Sequence, residues 1–172
     1  MEPDALAEIR EAAARVDWDK TMDREKTLGE IKRFRPDDLH SLPATREDKM
    51  FQVDMTFTLE NDISDGKGGV LYPKGFSFNP LDYLSLTSVL VVIDAGDRRQ
   101  VDWFKASPYI TDYRTRLVLS GSGYYDLSEE LDRPVFYLMD TVASRLHLAA
   151  VPSIVRQSGR MLEVTEVVLS HD

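Results

Sequence analysis

Ser88-Val89-Leu90-Val91-Val92-Ile93-Asp94-Ala95-Gly96-Asp97 is the stretch on which the fold turns. Its apolar run leaves no polar face for water, so it reads as a central strand covered on both sides. Downstream, Val101-Asp102-Trp103-Phe104-Lys105 reads as a short amphipathic helix stopped near Pro108, Leu117–Leu119 as a second buried strand and Leu127–Leu131 as helix. Val135–Leu138 reads as a third strand, and Thr141–Leu148 as a helix with Val142 and Leu146 turned inward. Val151–Val155 enters another strand, and a Ser158-Gly159 turn leads to the alternating strand Leu162–Leu169. Strands alternating with helices and closed by a hairpin make a mixed α/β sheet.

Upstream the pattern is different. Residues up to about Phe34 read as two helices, with Pro3-Asp4 suited to a first turn and one thin apolar stripe at Leu6, Ile9, Ala13 and Val16. Such a stripe needs a surface to pack on, either the rest of the chain or a partner. From Arg35 to Lys49 two prolines, many charges and no apolar period give a linker composition. Phe51–Leu59 alternates as a strand with one buried face, Asp62–Tyr72 reads as a hairpin with a glycine-rich turn, and Pro73-Lys74-Gly75 and Asn79-Pro80-Leu81 read as further turns. The expected organisation is a helical extension over residues 1–35, a linker over 36–49, a β-hairpin segment over 50–86 and an α/β domain over 87–172.

The 172 residues carry 21 Lys and Arg against 30 Asp and Glu, a net charge of −9. That sign is wrong for neutralising nucleic-acid phosphate or anionic lipid. The absence of cysteine excludes thiol catalysis, disulfides and thiolate-held metals. The longest apolar run is far shorter than the roughly 20 residues of a spanning helix, so no direct membrane insertion is expected.

Residues that carry chemistry elsewhere lack the necessary arrangement here. Asn61–Gly66 resembles the start of a calcium loop, but the third position is Ile63 and the twelfth is Tyr72, where oxygen ligands belong. Glu129-Glu130 and Asp37-Asp38 sit in polar contexts with nothing to raise a carboxyl pKa. His40, His147 and His171 have no ligand spacing, and His147 reads as a structural histidine beside an apolar helix face. Ser120-Gly121-Ser122-Gly123 is out of register for a nucleophile elbow and has no following Lys-Ser or Lys-Thr for a phosphate loop. No catalytic, cofactor-binding or metal-binding residue is therefore assigned.

Proline at Pro152, opening a buried strand, is tolerated only where a special turn delivers the chain, and a cis bond after Val151 is the natural candidate. Together with the strand–helix order this is the layout of a thioredoxin-like domain. The place of its redox pair is held by Asp94-Ala95-Gly96-Asp97, so the sheet is expected without the redox chemistry.

The sequence also resembles the TraW family of F-type conjugative type IV secretion. The likeness rests on Glu2–Leu6, Asp62–Asp65, Gly69–Gly75 (with Tyr72, Pro73 and Gly75), Asn79-Pro80-Leu81-Asp82-Tyr83, Ile93-Asp94 and Ala150–Val155. It implies a periplasmic, non-enzymatic factor for conjugative pilus assembly that binds TrbC-like and TraU-like proteins. It also implies a signal peptide already removed before Met1. No active site is carried over. Leu6, Ile9, Ala13 and Val16, with Asp94, Asp97 and Pro152, are the expected partner-binding residues, and Tyr72, Pro73, Gly75, Asn79 and Pro80 are positions of the family pattern. A thioredoxin-fold chaperone and a carboxylate-dependent hydrolase are the alternatives.

Overall fold

The computed structural model describes residues 26–27, 29–30, 37, 39–121 and 123–169. The expected stripe at Leu6, Ile9, Ala13 and Val16 lies outside them. The chain divides into two compact units, Met1–Phe34 and Arg35–Asp172, and the second holds everything that follows.

Six strands form its main sheet: β1 (Lys49–Asp54), β6 (Val89–Ile93), β7 (Thr115–Leu119), β8 (Val135–Tyr137), β9 (Ser153–Ser158) and β10 (Met161–Glu166). Their order is β1-β10-β9-β6-β7-β8. β6, β7 and β8 run parallel, joined by α1 (Arg98–Ala106) and α2 (Tyr124–Leu131). α3 (Asp140–Arg145) returns the chain to β9, which lies antiparallel to β6 and forms a hairpin with β10, and β1 closes that edge antiparallel to β10. The mixed α/β sheet expected from the sequence is the one the chain adopts.

Val89–Ile93 is central because both its faces are covered. Val91 and Ile93 pack with Leu117, Leu119, Val101, Phe104 and Leu127 on the α1–α2 side. Val92 turns the other way, with Val118, Leu138, Ala143, Leu146 and Val155. Successive residues of a strand point to opposite faces, so each face receives its own layer. α3 differs from expectation in two respects: it ends at Arg145 rather than Leu148, and the inward residues are Ala143 and, just past its end, Leu146, whereas Val142 is 37% exposed. An i, i+3 pair defines the stripe and Val142 falls beside it.

The expected strand Phe51–Leu59 is broken in two. Asp54 Oδ1 accepts bonds from the Thr56 N–H (2.9 Å) and hydroxyl (2.7 Å), turning the chain after β1. The next residues form β2 (Phe57–Thr58), which pairs with β5 (Ser77–Phe78), while β3 (Ile63–Ser64) pairs with β4 (Val70–Tyr72). An aspartate that bonds to the backbone two residues on competes with the ladder, and that ended the strand.

The segment read as a linker is not free. Between residues 39 and 45 it is bound to the sheet at five points. Leu39 bridges Met139, the His40 N–H donates to the Leu138 carbonyl (2.8 Å), and the Leu42 N–H donates to Ser120 Oγ (2.6 Å). The Val151 N–H donates to the Pro43 carbonyl (2.9 Å), and the Thr45 N–H to the Val151 carbonyl (2.8 Å). Leu42 alone is buried, joining the core of the α3 face. One leucine among polar residues gives no period to read, which is why composition alone suggested a tether.

Candidate interaction surface

The sequence placed a partner-binding groove at Asp94–Asp97 and Pro152. The structure brings these residues to one end of the sheet, the carboxyl end of β6. The pairing of Val92 with Ser153 sets Pro152 one step further along, abreast of Ile93, with Asp94 next. The Val151–Pro152 peptide is cis.

Both aspartates are occupied locally. Asp94 Oδ1 accepts from the Gly96 N–H (2.8 Å), and the Asp94 N–H donates to Oε1 of the buried Gln100 (2.9 Å). Gly121, with φ +96°, passes so close that a Cβ there would lie 3.2 Å from Asp94 Oδ1. Asp97 caps α1 by accepting from the Arg99 N–H and pairs with the Arg99 guanidinium at 2.8 Å. The Arg99 hydrogen bonds hold the Asp97 carboxyl below the usual carboxylate range, against the opposing effect of burial. Pro152 is itself buried, and its carbonyl accepts from the Val167 N–H (2.9 Å). The main-chain N–H and C=O of Val151, the groups through which a peptide would add beside Pro152, are taken by Pro43 and Thr45 of the same chain.

A second surface was carried in the sequence only as a family pattern. Tyr72, Pro73, Gly75, Asn79 and Pro80 surround the two small ribbons. Pro73–Phe76 closes with the Phe76 N–H on the Pro73 carbonyl (3.0 Å), and Gly75 sits at φ +86°, which only glycine adopts freely at the third position of such a turn. Asp62 Oδ1 fixes the Lys74 N–H (2.6 Å), and Asp65 Oδ1 fixes those of Lys67 and Gly69. The buried Asn79 ties the ribbons to the body: its Nδ2 donates to the Arg160 carbonyl (2.9 Å), and its Oδ1 accepts from the Leu81 N–H at the short helix beginning with Pro80.

These bonds hold a row of aromatic rings in the open. Tyr72 and Phe76 lie 4.9 Å apart, Phe76 and Phe78 6.3 Å, and Phe57 meets Phe78 edge-on at 6.1 Å. Leu59, Ile63, Tyr72, Phe76, Phe78 and Tyr83 line a cavity of about 380 Å³. Tyr83 is 76% exposed and Leu84 73%. Alternation and turn signals marked the hairpin, but nothing in the sequence distinguished its aromatics from residues covered by the sheet.

The remaining candidates fall into structural roles. Glu130 pairs with Arg98 (3.0 Å) and Lys105, and these cations hold its carboxyl low. Ser120 is buried, its hydroxyl shared between the Leu42 N–H and the His40 carbonyl. His147 is exposed rather than packed on an apolar face, at φ +54° after the end of α3. Among the described residues no group of three acidic or histidine side chains is placed to hold a metal ion, and no helix is long and apolar enough to cross a membrane.

No family model matches the chain, and no solved structure matches it. It is similar to Protein TraW of Escherichia coli (strain K12), with 29% identity over 101 residues. The matched stretch covers 58% of this chain and 48% of that protein, so the chain spans about half the length of the curated relative it matches.

Proposed function

We propose that the protein is a non-enzymatic assembly factor of a conjugative, F-type pilus system, working in the periplasm by binding other transfer-system proteins, TrbC-like and TraU-like ones among them. The likeness to TraW supports the setting. The observation that carries the binding role is the aromatic ribbon. Phe57, Ile63, Val70, Leu71, Tyr72 and Phe76 are all large, apolar and at least 38% exposed within one short segment, an arrangement that marks a contact surface rather than scattered surface residues. Among the described residues, every aspartate or glutamate whose pKa departs from its ordinary value is shifted down, the direction that disfavours a general acid. We read the sheet as thioredoxin-like: the parallel β6–α1–β7 unit, the antiparallel β9–β10 hairpin and Pro152 ahead of β9 support that reading, with β8 as an added edge.

The test is a pull-down with the tagged protein from periplasmic extract of a conjugation-competent donor, followed by mass spectrometry and sizing. A discrete complex with one or two transfer-system proteins, lost in Tyr72→Asp/Phe76→Asp with the fold kept by circular dichroism, is the expected result. A broad mixture of unfolded clients overturns it in favour of a chaperone.

A further inference from the structure

The end of the sheet where the parallel strands β7 and β8 begin, opposite the end that holds Pro152, carries a second cavity of about 570 Å³. Two arginines line it. Arg133, just past α2, is held by main chain alone: Nη1 donates to the Tyr109 and Ile110 carbonyls (3.4 and 3.1 Å) and Nη2 to the Thr115 carbonyl (2.8 Å), with the Phe104 ring 5.4 Å away. Arg116, on β7, is exposed and donates to the Tyr113 carbonyl (3.2 Å).

Neither cation has a carboxylate. Among the described residues Arg98, Arg99, Arg114, Arg156 and Arg160 each pair with an aspartate or glutamate, whereas Arg116 and Arg133 meet only carbonyl oxygens. In a chain of net charge −9, acids are not scarce. Asp132, on the rim of the same cavity, is exposed and forms no ion pair with either arginine among the described contacts. Burial draws the Arg133 pKa down, and the charge of Arg116 draws it further the same way.

Two polar atoms at the floor are also unused. Thr115 is 2% exposed and its Oγ1 has no hydrogen-bond partner, and neither has the buried Nε of Arg133. Since Nη1 serves two carbonyls and Nη2 one, the Nε–H and the second N–H of Nη2 are left. Those groups form the edge with which a guanidinium grips both oxygens of a carboxylate. The walls are apolar: Ile110, Leu131, Pro134 and the half-exposed Phe136. Apolar walls with a few convergent polar groups make a ligand pocket.

We propose that this cavity binds a carboxylate carried on an apolar body, with Arg116 at the rim and Arg133 at the floor neutralising the anion, Thr115 Oγ1 donating to it, and Phe136, Ile110 and Leu131 covering the apolar part. The carboxyl-terminal residue of a peptide and a small carboxylic acid share this chemistry. Phosphate matches it less well, because the unused donors form a planar pair against apolar walls rather than a polar cage. The site is separate from the aromatic ribbon and does not rest on the protein-binding reading above.

The experiment uses the full chain and isothermal titration calorimetry with four probes: N-acetyl-leucine, a short peptide ending in leucine as the free acid, the same peptide as its carboxyl-terminal amide, and inorganic phosphate. The free acids are expected to bind, the amide about tenfold or more weaker, and added salt to weaken the acids. Arg116→Gln, an exposed position whose loss leaves the fold intact, is expected to weaken the acids about tenfold or more. Phe136→Ala is expected to weaken them while the salt dependence stays. N-acetyl-leucine binding as tightly as the peptide supports the site and assigns it to a small acid, and a peptide about tenfold or more tighter supports it and assigns it to a chain terminus. Equal affinity for acid and amide, no saturation by either acid up to about 10 mM, phosphate binding as tightly as the acids, or an unchanged Arg116→Gln overturns the proposal. Such a failure leaves the aromatic ribbon to be judged by the pull-down with Tyr72→Asp/Phe76→Asp, which does not touch this cavity.

Discussion

Replacing Ser120 by alanine tests whether the Leu39–Thr45 strap belongs to the fold. The hydroxyl sits at the end of β7 and accepts from the Leu42 N–H at 2.6 Å while facing the His40 carbonyl at 3.3 Å. Ser120→Ala removes the acceptor without adding volume and leaves the Leu42 N–H buried and unpaired. An orphaned buried donor costs about 1–3 kcal/mol. The longer His40 contact adds little, because its carbonyl is reached at the limit of bonding distance. The expected loss is therefore about 1–3 kcal/mol, a fall in melting temperature of about 2–12 °C for a chain of this size. Urea denaturation gives the free energy, and amide exchange gives its location. The His40 and Thr45 amides, which bond to Leu138 and Val151, exchange about 5- to 150-fold faster by the same free energy. The exposed Ser77, whose hydroxyl meets Thr58, is the control, and Ser77→Ala changes stability by no more than about 0.5 kcal/mol. A Ser120→Ala chain within about 0.5 kcal/mol of wild type, with strap exchange unchanged, refutes the assignment of Leu39–Thr45 to the body.

Three further substitutions probe other layers. Phe104, fully buried on α1 with the Arg133 guanidinium 5.4 Å above its ring, is expected to cost about 3–5 kcal/mol as Phe104→Ala, read by urea denaturation. Glu166, 5% exposed at the end of β10, accepts from the Ala149 and Ala150 N–H groups at 3.1 and 3.2 Å. Glu166→Ala is expected to cost about 1–3 kcal/mol and Glu166→Gln, which keeps an acceptor, clearly less, by the same assay. The Asp97 carboxyl is held low chiefly by Arg99, so its folded pKa lies below the unfolded one. Its contribution is present above the ordinary aspartate range and is lost as pH falls through the depressed value. Stability measured from pH 6 down to pH 2 should therefore drop less steeply in Asp97→Asn than in wild type, and parallel curves would rule the linkage out.

What the sequence makes legible is what local pattern encodes. The run Val89–Ile93 reads as a doubly covered strand and Val151-Pro152 as the opening of another, so the succession of elements from β6 to β10 along the chain follows from short-range signals. The strap is illegible for the opposite reason. Its partners lie 78 residues away at Ser120 and 100 at Asp140, and its single buried side chain leaves no period to detect. The early end of β1 was written in Asp54-x-Thr56, a spacing that is informative only when weighed against the alternation running through it. For the site, the turn residues Pro73, Gly75, Asn79 and Pro80 were readable as turns, but exposure of the aromatics between them depends on what else the fold brings near, which no local pattern contains.

The ribbons raise a physical question whose answer bears on function. β2, β3 and β5 have two residues each and β4 has three, too few for ladders to hold them, and their side chains bury almost nothing. Their backbone is fixed instead by polar contacts from short side chains: Asp54 on Thr56, Asp62 on Lys74, Asp65 on Lys67 and Gly69, and Asn79 on Arg160. The Arg160 guanidinium in turn clasps Asp82 at 2.5 and 2.7 Å, tying the end of the segment to the β9–β10 turn. A segment ordered by its own core would have to turn its rings inward. One ordered by carboxylates and an amide along its backbone keeps Tyr72, Phe76 and Tyr83 facing outward and already positioned, so a partner covers apolar area without first ordering the loop. That is the arrangement the proposed binding role calls for, and it accounts for aspartate and asparagine, rather than further hydrophobic residues, between the aromatic positions.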